Sequence, residues 1–123
     1  MITVTQNIQA SAVGARGFGG NVTEVGSYKV ELDNIFQGAS VNAPQAGSFI
    51  AADVQSIMLV SSQNLTLKTN DATTPGDTIE LKANIPLFWS KSAGYFDNPF
   101  TSDVTGFFVT CAAAARLQML ILS

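Results

Sequence analysis

Two pairs of carboxylates stand where a short loop can bring each pair together: Asp71 and Asp77 across a Pro-Gly turn, and Asp97 and Asp103 across Asn98-Pro-Phe-Thr-Ser102. A glycosidase uses such a pair, one group protonated and the other ionised, about 5 to 10 Å apart. The same oxygens are hard ligands of the kind calcium takes, although their spacing does not follow an EF-hand loop. Acids also favour turns simply because a carboxylate accepts from nearby backbone N–H groups, and nothing in the pattern separates catalysis or ion binding from that use. Cys111, the single cysteine, has no histidine anywhere in the chain to deprotonate it, and Thr110 and Ala112 lend it no positive charge. It reads as a small buried filler. Gly14, Gly17, Gly19 and Gly20 approach a phosphate-cradling loop, but no Lys-Ser or Lys-Thr follows and no helix begins there. A loop presenting Arg16 and Phe18 is expected instead. No catalytic, metal or cofactor-binding residue is assigned, and the chain reads as a protein that is not an enzyme.

The aromatic residues are more suggestive. Phe88-Trp89, Tyr95-Phe96 and Phe100 surround a loop containing Ser92-Ala-Gly94 and Asn98-Pro99. Loop aromatics stack sugars in lectin-like sandwiches and anchor protein interfaces, and they also close the ends of cores. Trp89, Tyr95, Phe96 and Phe100 are therefore candidates for an interface, with the end of the core as the plainer use.

Composition narrows the classes. A length of 123 residues predicts one domain. Hydrophobic residues make up 46% and charged residues 12%, against about 25% charged in an average globular chain. Disorder is excluded on that ground. A net charge of -3 is too acidic and too dilute to neutralise a run of phosphates, which disfavours nucleic acid. The absence of histidine removes the usual zinc ligand and the usual general base. The N-terminus shows no basic segment followed by an apolar run, so the chain is expected to be made and kept in a cytoplasm. Val104 to Leu122 is apolar enough to raise a membrane span, yet Arg116 and Gln118 lie inside it, and two buried strands joined at Ala112–Ala115 by a hairpin connection, with one helical turn as the alternative, are expected instead.

The elements that would position these residues read as strands. Thr78-Ile-Glu-Leu-Lys-Ala83 alternates strictly, and Pro75-Gly76 before it fits a type II turn with Gly76 at positive φ. Tyr28, Val30 and Leu32 alternate with Lys29, Glu31 and Asp33 inside a longer segment, 22–32. Segments 3–8, 56–61, 65–69, 86–90, 104–110 and 116–122 bring the total to eight candidates. No stretch keeps helical spacing for three turns. The expected fold is all-β, a sandwich or barrel of about eight strands, with residues 1–20 as an N-terminal arm and Gly-rich loop and 21–123 as the β-sandwich domain.

The stretch from Ser56 onward resembles small proteins from the head-gene region of tailed bacteriophages. The resemblance lies in Leu67-Lys-Thr-Asn-Asp71, Pro75-Gly-Asp-Thr-Ile79, Pro86-Leu-Phe-Trp89, Asn98-Pro-Phe100, Asp103-Val104, Phe108-Val-Thr110 and Leu120-Ile-Leu122. These proteins resemble capsid decoration, or cement, proteins. The resemblance implies a β-sandwich, often jelly-roll-like, that sits on the virion surface against the major capsid protein, commonly as a trimer. Low charge and a mean hydropathy of +0.25 agree with it, because a small subunit with little charge should place apolar area in an interface. Ile2, Val4 and Ile8 of the arm, with Arg16 and Phe18, are expected to touch the shell or a sister subunit. The alternatives are a tail or collar subunit, and a carbohydrate-binding module stacking sugars on Trp89, Tyr95 and Phe96.

Overall fold

Period-two alternation sets the architecture. A computed structural model describes residues 2–10, 18–36, 43–45 and 47–123, which form the strands β1 (Ile2–Ala10), β2 (Phe18–Gly26), β3 (Tyr28–Phe36), β4 (Ala43–Gln45), β5 (Ser56–Ser61), β6 (Leu65–Thr69), β7 (Thr78–Leu81), β8 (Leu87–Ser90), β9 (Phe107–Cys111) and β10 (Ala115–Leu122). One 3-10 turn spans Ala51–Asp53. The fold is all-β, and every strand pairing is antiparallel.

The strands divide into three sheets. β1 and β2 form a hairpin, one four-stranded sheet runs β3-β10-β5-β8, and the other runs β4-β9-β6-β7. Each four-stranded sheet turns one parity of its residues inward. Ile57, Leu59, Leu117, Met119 and Ile121 from the first meet Leu65, Leu67, Ile79, Leu81, Phe107 and Val109 from the second in a single apolar cluster. The arrangement is sandwich-like. Fully burying one such aliphatic or aromatic side chain stabilises the fold by about 1.5–3 kcal/mol.

Each expected strand coincides with an observed one, with differences that have local causes. The expected segment 22–32 holds two strands, because the backbone of Ser27 exchanges hydrogen bonds with Ser123 (2.8 and 3.0 Å) and hands the chain from the hairpin to the sheet. Part of the Gly-rich patch is strand, with Phe18, Gly19 and Gly20 paired to Ala10, Gln9 and Ile8. The boundary drawn at residue 20 therefore cuts through β2.

The Ala112–Ala115 connection is not a hairpin: β9 and β10 belong to different four-stranded sheets, and Ala115, fully buried, brings the chain from one to the other. Gly76 is not at positive φ; Asn70 (φ 69°) and Asn84 (φ 60°) take the left-handed positions near β7. No helix among the described residues is long and apolar enough to cross a membrane.

Candidate interaction surface

The hairpin keeps one register over nine pairs, from Ile2↔Gly26 to Ala10↔Phe18. Ile2, Val4 and Ile8 fall on alternate positions of β1, opposite Gly26, Glu24 and Gly20. Phe18 opens β2, and Arg16 lies outside the described residues.

The end of β2 lies across the outer side of the β3-β10-β5-β8 sheet. Leu122, Ser56 and Ser90 form one row there, on the parity opposite to the core-facing Ile57 and Ile121, yet all three are buried. Gly26 explains the close approach: a Cβ at this position would stand 2.6 Å from the Ser123 carbonyl oxygen and 3.1 Å from the Leu122 side chain.

Glu24 then locks the hairpin down. Its buried carboxylate accepts from the Ser90 hydroxyl at 2.7 Å and from the Ser92 backbone N–H at 2.6 Å. Burial pushes this carboxyl up, but the hydrogen bonds from Ser90 and Ser92 and the nearby Lys91 charge outweigh it and hold it below its ordinary value of 4.5. Sequence reasoning missed Glu24. Its signal was an acid sharing the strand parity of Val22 and Gly26.

The aromatic candidates separate cleanly. Trp89 pairs across from the core-facing Ile57, packs against the core, and donates its indole N–H to the Phe96 carbonyl at 2.9 Å. That bond pins a loop from which Tyr95 and Phe96 project, 86% and 83% exposed. Phe100 is 1% exposed and packs edge-on against Phe49, with centroids 5.1 Å apart. It closes the core and is not an interface residue. Asn98 fixes the turn between them: its amide donates to the Ala51 carbonyl and its oxygen accepts from the Phe100 N–H.

The carboxylates of the loops organise backbone. Asp71 accepts from the N–H groups of Thr74 and Thr73, which hold its carboxyl below the usual range. Asp77 accepts from the Thr101 and Ser102 N–H groups, tying the turn before β7 to the loop after the aromatics. Asp103 accepts from the Ala51 N–H at 3.0 Å. Among the described residues, no three His, Cys, Asp or Glu side chains converge in a way that would hold a metal ion. Cys111 is buried at the end of β9. A groove beside β9, β6 and β7 is lined by Thr66, Glu80, Lys82, Thr110, Cys111 and Ala112.

Apolar side chains also face outward on the first four-stranded sheet. Leu120, Met58 and Phe88 form one row across β10, β5 and β8, half-buried to exposed. On the same face Arg116 clamps Asp33 through two bonds of 2.8 and 2.7 Å, which holds the Asp33 carboxyl low. Comparisons with family models, curated proteins and solved structures give no match to the chain.

Proposed function

We propose that this chain is a structural virion protein that binds the outer surface of a tailed-phage capsid and stabilises contacts between capsomers. Its partner in that role is the major capsid protein, and it works as a homo-oligomer on the virion after synthesis in the bacterial cytoplasm. The observation that carries the reading is the pair Tyr95 and Phe96, more than four-fifths exposed on a loop whose backbone Trp89 holds in place. Large aromatics displayed on a pinned loop lose little conformational entropy when they enter a partner's pocket, which is the pattern of interface anchors.

The strand order supports the same reading. Orders β3-β10-β5-β8 and β4-β9-β6-β7 correspond to two Greek keys wound into an eight-stranded jelly roll, an architecture shared by viral capsid and lectin domains. The hairpin is then an addition ahead of the roll. The carbohydrate-binding alternative loses part of its platform, because Trp89 packs on the core and its indole N–H is engaged.

Replacing both aromatics, Tyr95→Ser with Phe96→Ser, tests the assignment. Both side chains are solvent-exposed, so stability should change by no more than about 0.5 kcal/mol. Co-sedimentation with assembled shells should fall at least tenfold. Undiminished attachment by the double variant would remove the aromatic anchor. Quantitative mass spectrometry of particles places the subunit: a simple ratio to the shell protein supports decoration, and a few copies per hundred supports tail or collar.

A further inference from the structure

We infer that β1 is a docking edge for a second copy of this chain, pairing antiparallel with the β1 of its partner to join two hairpins into one four-stranded sheet. The argument begins with how the molecule treats its other edges. An edge strand exposes unpaired N–H and C=O groups, and proteins blunt such strands with charge, proline, bulges or brevity. β3 carries Lys29, Glu31 and Asp33 and meets β10 through a register shift at Ile121/Leu122. β4 is three residues long and contains Pro44. β7 has four residues, one of them Glu80, and β8 has four residues bracketed by Pro86 and Lys91.

β1 has none of these devices. It is nine residues long, its sequence ITVTQNIQA contains no charge and no proline, and its register against β2 runs without a shift. β2, on the other side of the hairpin, is interrupted by Gly19, Gly20 and Gly26 and held to the body by Glu24. A two-stranded hairpin is marginal in water, so an added strand supplies what it lacks.

A second copy fits this edge in pattern and in charge. With Gln6 placed opposite the Gln6 position of the other copy, Thr5 stands opposite Asn7 and Val4 opposite Ile8, so polar faces polar and apolar faces apolar along the strand. A neutral strand meets itself without opposing like charges, the condition a self-pairing strand must satisfy. The contact is isologous and closes at two copies. It does not depend on the virion reading, and the solution measurement below involves no shell, so either can fail alone.

Sedimentation equilibrium of the full chain at micromolar concentration tests it. The expected mass is twice 12.9 kDa; a monomer or a trimer would overturn the proposal. Thr5→Lys with Asn7→Lys places introduced lysines directly opposite each other across the two-fold, and should weaken the dimer at least tenfold. Thr5→Lys with Asn7→Glu places opposite charges there and should restore it. Thr5 is exposed, with its hydroxyl 3.2 Å from that of Thr23. Unchanged circular dichroism therefore serves as the folding control for both variants. A dimer that ignores both substitutions, or that is lost equally in both, would place the contact elsewhere.

Discussion

Glu24 shows how one residue couples the hairpin to the body. Among the described residues it is the charged side chain that is buried, and two donors separated from it by more than sixty positions satisfy it. Because its folded pKa lies below the ordinary 4.5, the fold favours the ionised form. Its contribution to stability is therefore complete above about pH 4.5 and is lost as the pH falls through the lower folded value. Glu24→Gln removes the charge and turns an amide donor toward Ser90 and Ser92. It should cost about 1–3 kcal/mol at neutral pH in denaturant unfolding, and hydrogen exchange should quicken at residues 21–26. The gap between wild type and variant should close as the solution is acidified. A gap that persists at low pH would mean that shape, not charge, holds the hairpin. The aromatics teach a related lesson at this scale. Phe96 and Phe100 stand four positions apart in the same loop, and neither type nor spacing distinguishes them. Phe100 is buried because Phe49 and Phe107 arrive from elsewhere in the chain to enclose it, information that no local window holds.

At the scale of elements, strands with one wet and one dry face were readable and their connections were not. β6 and β7 alternate, and the observed burial follows that alternation residue by residue. β2 escaped notice as a full strand because glycine gives a weak strand signal and its pairing with β1 comes from a partner eight or more positions away. The last connection misled for a similar reason: a short alanine-rich link suits a hairpin, and only the sheet assignment shows that it passes between sheets. The turn before β7 shows a third kind of difference. Gly76 sits there in a crowded position and not at a positive φ, since an added Cβ would meet the Ser102 hydroxyl oxygen at 2.6 Å, the Asn70 amide nitrogen at 3.0 Å and the Thr69 hydroxyl oxygen at 3.2 Å. Around it, Gly76 and Asp77 donate backbone N–H groups to Thr69, and Asn70 receives Thr105. Gly76→Ala should therefore destabilise by about 1–3 kcal/mol, the range for forcing extra volume into a packed site. Thermal unfolding reads this directly. An alanine variant as stable as wild type would show that the turn yields without loss.

For the whole molecule, the apolar side chains divide between a closed core and the surface. Much of what is displayed is apolar: Val25 on the hairpin, Ile35 and Phe88 on the first four-stranded sheet, and Tyr95 and Phe96 on the pinned loop are all about half exposed or more. Among the described side chains, the apolar core, by contrast, draws its members from β3, β5, β6, β7, β9 and β10, with none from β1 or β2. Among the described residues, the core that drives folding is therefore separate from the hairpin. Deleting residues 1–20 removes β1 and opens β2 while leaving Glu24, Gly26 and the Ser27 backbone bonds in place. The shortened protein should unfold in one cooperative transition near the wild-type midpoint, sediment as a monomer and attach more weakly to shells. Loss of the cooperative transition on deletion would instead make the hairpin part of the folding unit, and full attachment without it would leave the aromatic loop as the contact with the shell.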